Sequence, residues 1–294
     1  MGSVNQDMVG GDAGVVGEDS SGWVGQLRLR FQKRGARTVL ARRWHQGPLQ
    51  VQRPFYPEGL GVCHLYLLHP PGGIVPGDHL TVEARVESGG EVLLTTPAST
   101  KIYRSHGPES VQANQFHVEG GGALEWFPQE TIVFNGARIE LLTRVDLSEE
   151  AAAFTGWEIL CLGRPASGEP FIAGQCRQSF EVWRGQRPLW VDRSHYEGGH
   201  DLLREAWGLG GDTVVGTLVC VSRDGELSLA LRDLCEEAST STCRVVVTQL
   251  SEVIVVRYLG NYAEEAKDIF ARLWSLIRAG LRGRAVCEPR IWRT

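Results

Sequence analysis

Short runs in which apolar and polar residues alternate, separated by turn residues, recur along almost the whole chain. GWVGQLRLRF sets Leu27, Leu29 and Phe31 against Gln26, Arg28 and Arg30, and TVEARVE sets Val82, Ala84 and Val86 against Thr81, Glu83, Arg85 and Glu87. A period of two puts successive side chains on opposite faces of an extended strand, so each run describes a strand with one buried face. EVLLTT, VQANQFHVE, ALEWF, ARIELLTRVDL, GWEILCLG, QSFEVW, LWVDR, TVVGTLVCVS, LSLAL, RVVVTQL and SEVIVVRYL continue the series, with turns at SGG, GGG, RGQRP and RDGE. The 36 glycines and 13 prolines supply the punctuation, and the sum predicts a mainly β protein of many strands. Irregular layered sheets and a β-helix-like coil both fit. No string recurs at the period of about 20–50 residues that marks a propeller or a regular solenoid.

About two helices are expected. YAEEAKDIFARLWSLIRA, over 262–279, carries Ile269, Leu273, Leu276 and Ile277 as one apolar stripe, widened by Phe270 and Trp274. Asn261 is placed to cap its start, Glu264 and Glu265 suit its positive end, and Gly280 is placed to stop it. Such a stripe belongs more often to a core than to a docking face. A shorter helix is expected near 200–207. Residues 1–22 are rich in Gly, Asp and Ser and predict a disordered leader, with one domain over 23–294.

The balance of 42% hydrophobic and 22% charged residues lets a chain of 294 residues build a large core without disulfides. A net charge of −5 argues against a nucleic-acid partner, whose phosphates call for a basic surplus. The seven cysteines are odd in number and form no CxxC pair, which predicts reduced, structural thiols. No signal sequence and no spanning apolar run is visible, so the expectation is a soluble cytoplasmic protein without a membrane partner.

Signatures of catalysis are missing. No G-x-x-x-x-G-K-[ST] loop occurs, GLGGDTVVG has Thr213 where a dinucleotide loop needs its last glycine, and neither G-x-S-x-G nor H-E-x-x-H is present. The eight histidines form no closely spaced metal pair. What stands out is acid inside apolar β segments: Glu130 in WFPQETIVF, Glu158 in FTGWEILCLG, Asp192 after LWV, and Asp78 in PGGIVPGD. A buried carboxylate needs a partner or water. Two readings stay open: ordinary ion pairs and turns, or the lining of a wet passage that holds a divalent cation weakly.

At these segments the chain resembles a known family. QRPFYPEGLGVCHLYLLHPPGGIVPGDHL, TTPASTKIYRS, LEWFPQETIVFNGA, GWEILCLGRPASGE and PRIW look like urease accessory protein UreD, also called UreH, over residues 23–294. The resemblance implies an unusual, largely β fold and a non-enzymatic chaperone. It also implies binding to the urease apoprotein and assembly with UreF and the GTPase UreG, with UreE as a nickel donor. No tightly bound cofactor is implied, only nickel in transit along an internal route. The matching positions are Asp78, Thr100, Glu158 and Asp192, to which Glu130 is a further addition. His79 stands where the family often has a second acid, and imidazole also binds nickel. The alternatives kept beside this reading are a pure interaction scaffold that handles no metal and a β-rich enzyme with a dispersed site.

Overall fold

The computed structural model describes residues 22–148 and 151–293, so the leader expected over 1–22 lies outside the described residues except for Gly22. In chain order come β1 (Val24–Arg34), β2 (Arg37–Gln46), β3 (Gln50–Val51), β4 (Val62–Leu68), β5 (His79–Val86) and β6 (Glu91–Thr95). Next are β7 (Thr100–Ile102), β8 (Ser110–Val118), β9 (Ala123–Phe127), β10 (Thr131–Val133), β11 (Arg138–Leu147) and β12 (Ala153–Arg164). The remainder is β13 (Glu169–Pro170), β14 (Gln175–Arg184), β15 (Arg187–Glu197), α1 (Asp201–Arg204), β16 (Val214–Val221), α2 (Gly225–Ala238), β17 (Cys243–Leu250), β18 (Val253–Gly260) and α3 (Ala263–Arg282).

One sheet places β1, β5, β8, β11 and β14 side by side in parallel, with β2 and β15 closing its two edges antiparallel. The other runs β4, β6, β9 and β12 in parallel and continues antiparallel through β16, β18 and β17. A short third row pairs β7 with β10 and β10 with the far half of β12. The chain therefore visits first sheet, second sheet and short row in turn, as β5–β6–β7 and then β8–β9–β10, advancing one strand position per round.

This is the β-helix-like alternative, and it carries a period that inspection of the sequence misses. Val62 pairs with Glu91, Glu91 with Ala123, and Ala123 with Ala153, steps of 29, 32 and 30 residues. Each round needs only inward apolar positions and a turn at the right place. Different residues satisfy those demands, so the coil repeats while the letters do not.

Two cores result. Between the sheets pack Leu27, Phe31, Leu65, Val86, Phe116, Ile139, Leu160 and Phe180, the inward positions of the alternating runs. On the outer face of the second sheet, Phe127, Trp157, Leu218 and Val256 meet α2 and α3. The stripe of α3 is core: Ile269, Phe270, Leu273, Trp274 and Ile277 are all buried there. Gly216 on β16 makes the close approach feasible, since a Cβ there would sit 2.9 Å from the Phe270 ring. Trp292 of the closing PRIW packs with Phe127, Trp157 and Trp274, and its indole N–H donates to Thr95 Oγ1 at 2.9 Å.

Four local expectations are corrected. LSLAL, expected as a strand, lies inside α2, giving three α-helices among the described residues where about two were expected. The Asp224 carboxylate accepts from the amides of Glu226 and Leu227 and nucleates the helix, while Leu227, Leu231 and Cys235 are buried at four-residue spacing. Five residues fitted both periods, and the capping acid decided. Asn261 does not cap α3; its Oδ1 accepts from Thr213 N and Oγ1 and ties β18 to β16. Nor does Gly280 stop α3, which runs on to Gly283 in the left-handed conformation (φ 57°). The short helix near 200–207 is confined to Asp201–Arg204, capped by the His200 ring.

All seven cysteines are free. Burial pushes the Cys161 and Cys220 thiols up to about 12, which keeps both protonated and apolar in character.

Candidate functional site

Polar residues interrupt the apolar interior between the two sheets. On the first sheet, Asn114 of β8 lies next to Thr143 of β11 in register, and Gln178 of β14 next to Leu141. From the second sheet, Glu158 of β12 points into the same gap, because β12 turns Trp157 and Ile159 toward the helices and Leu160 and Leu162 inward. Thr143 Oγ1 donates to Glu158 Oε1 at 2.5 Å and accepts from Asn114 Nδ2 at 3.0 Å, while Gln178 Nε2 donates to Glu158 Oε2 at 2.9 Å. Among the described residues no cation forms an ion pair with this carboxylate. Burial raises its proton affinity above that of an ordinary glutamate and the nearby Asp192 adds to the rise, against the pull of the Thr143 and Gln178 hydrogen bonds.

The gap is open space. A cavity of about 40 Å³ is lined by Thr100, Asn114, Thr143, Glu158 and Gln178. It shares Thr96, Thr100, Gln112, Asn114 and Trp126 with a larger one of about 170 Å³ that reaches His69 and the exposed Lys101. Both are large enough for water, which needs roughly 10–15 Å³ of such space. Around them Gln112 Oε1 and Asn114 Oδ1 are buried without a hydrogen-bond partner in the protein, the mark of a polar, wettable interior.

The expected site residues thus fall in different places. Thr100 and Glu158 line one continuous space. Asp192 lies on the same inward side, half-buried, and accepts from Arg257 Nη1 at 2.9 Å; Arg257 also reaches Thr217, the register partner of Glu158. Asp78 is buried in its turn, where its carboxylate accepts from the amides of Trp23 at 2.8 Å and Val75 at 3.0 Å. His79 opens β5 with an exposed side chain. Glu130 precedes β10, half-buried, and is not part of the lining of either cavity. Among the described residues, no three His, Cys, Asp or Glu side chains converge in a metal-holding cluster. Asn114, Thr143 and Gln178 are members that sequence reading passed over. Thr143 and Gln178 left a signal, a polar residue at an inward position of an otherwise apolar row, in RIELLTRV and QCRQSFEV.

The fold is a β coil backed by two helices, with a polar space between its two sheets. Comparison with known proteins supplies the family. The family model described as UreD urease accessory protein matches residues 24–293. Proteins named urease accessory protein UreD are similar over nearly their whole length. That of Dechloromonas aromatica is 43% identical across 94% of this chain and 96% of its own, and that of Saccharophagus degradans 42% across 92% and 93%. The one from Nostoc punctiforme is 38% identical across 93% and 97%. The chain belongs to the UreD family, and with it to the proteins of urease maturation. No helix among the described residues is long and apolar enough to cross a membrane.

Proposed function

We propose that this chain is a scaffold of urease maturation that hands nickel through its own interior. It works in the cytoplasm, docked on the urease apoprotein together with UreF and the GTPase UreG, with UreE as a donor upstream. It turns nothing over itself; nucleotide hydrolysis falls to the partner, in keeping with the missing phosphate loop here. The observation that carries the reading is Glu158, an acid inside the coil with no countercation among the described residues, facing a cavity lined by hydroxyl and amide groups. A carboxylate so placed costs stability, and a passing divalent cation offsets that cost. Oxygen donors and water hold nickel loosely, which suits an ion that must move on. Asp192, released from Arg257, offers the next carboxylate on the same side.

The test is co-expression with urease, UreF and UreG. Glu158→Ala and Asp192→Ala variants assemble normally but leave urease with less nickel per active site. Equal nickel content at equal complex yield overturns the proposal in favour of a scaffold that handles no metal.

A further inference from the structure

The larger cavity carries donors that the reading above does not use. His69, just past the end of β4, lines it with Gln112 and Asn114. His69 Nε2, Gln112 Oε1 and Asn114 Oδ1 are all buried and meet no protein partner. Asn114 is 6% exposed and its amide nitrogen is committed to Thr143, so the unmatched atom is its carbonyl oxygen. Stranding one such group costs about 1–3 kcal/mol, and three of them around one space call for a polar occupant. Burial pushes the His69 ring below the usual histidine range, with Asp78 acting weakly the other way. The imidazole is therefore neutral at neutral pH, the form that ligates metals. The charged side chain of the lining, Lys101, is exposed.

We propose that His69, with the amide oxygens of Asn114 and Gln112, forms a neutral-donor station for a partly hydrated, borderline divalent cation, distinct from and adjacent to the carboxylate station at Glu158. The inference rests on the passage reading above and adds direction to it. Imidazole and amide oxygen suit nickel but bring no charge, so this station holds the ion more weakly than Glu158 does. An ion entering from the His69 side moves toward the stronger, anionic ligand through the residues that both cavities share.

The experiment uses the full-length, untagged chain with Ni²⁺ as the probe. X-ray absorption at the nickel edge reports imidazole in the coordination shell, and calorimetry reports affinity. His69→Gln is expected to remove one imidazole from the shell and weaken binding about tenfold, while Glu158→Gln keeps the imidazole. Unchanged scattering and affinity in His69→Gln overturn the station. Asn114→Asp supplies an independent check: a charge added at constant shape tightens Ni²⁺ binding about tenfold if the atom faces the ion, and an unchanged affinity counts against the site. Nickel content of urease separates the two ideas. Normal delivery by Glu158→Gln sinks the passage, whereas impaired delivery by Glu158→Gln with no effect of the His69 and Asn114 variants on Ni²⁺ binding sinks the station alone.

Discussion

Arg278, on the last turns of α3, grips Glu58 through two hydrogen bonds of 2.7 and 2.8 Å across 220 residues of chain. The same guanidinium donates to Glu125 at 3.0 and 2.9 Å, and Trp274 Nε1 joins at 2.7 Å. Glu58 in turn meets His64 Nε2 at 2.6 Å. Arg278 is 3% exposed, so this network is what fastens the helical layer to the edge of the coil. Its planar fork satisfies two carboxylates at once, which no lysine can reproduce.

Removing Arg278 takes the countercation from buried Glu125 and half-buried Glu58. Arg278→Met therefore destabilises the protein by about 3–5 kcal/mol, and Arg278→Lys recovers only part of the loss. Urea denaturation followed by tryptophan fluorescence measures both, and a loss below that of an exposed ion pair would show that the network does not fasten the helices.

Glu58 also sets an acid limit. Burial alone would raise its proton affinity, but hydrogen bonds from His64 and Arg278 outweigh it and lower the value from 4.5 to about 2. The folded state thus favours the charged form. Its contribution is complete above pH 4.5 and disappears as pH falls toward 2. Glu58→Gln lacks this dependence, so the stability gap between wild type and variant narrows across that window. Denaturation midpoints at a series of pH values read it directly.

Glu158 behaves in the opposite sense. Its proton affinity is raised on folding, mainly by burial, so its contribution is present below pH 4.5 and is lost as pH rises. Glu158→Gln keeps the shape and removes the charge, and melts higher than wild type at neutral pH, with the difference shrinking in acid. A lower melting temperature at pH 7 would mean that the carboxylate is satisfied in a way its hydrogen bonds do not reveal.

Asp78 is a turn residue with two backbone amides to hold. Asp78→Ala leaves the Trp23 and Val75 N–H groups without their acceptor and costs about 1–3 kcal/mol. Nickel delivered per assembled complex stays at the wild-type level. A full-strength complex that delivers less nickel would place Asp78 in the transfer path instead.

Much of this could be read from the chain alone. Alternation in LRLRF and TVEARV revealed strands because each strand buries one face, and that demand acts residue by residue. The stripe of α3 was legible for the same reason. LSLAL reads as a strand because five residues carry too little of either period to separate them, and Asp224 reads equally as part of a turn. Glu158 stood out as an acid in an apolar row. Its partners Thr143 and Gln178 lie 15 and 20 residues away, and nothing in the letters joins them until β11, β12 and β14 are stacked.

The sequence by itself determined the β character, the helix that closes the chain, the family, and the acids that had no reason to be in apolar segments. These follow from local periodicity or from long matching strings. Only the tertiary structure decided which of the candidate residues share a space. The coil brings Thr100 and Glu158 onto one cavity because adjacent rounds stack strand on strand about 30 residues apart. It returns Asp78 to its own turn, where nearby amides satisfy it first. Burial, pairing and open volume are properties of neighbours, and a chain acquires those neighbours only by folding.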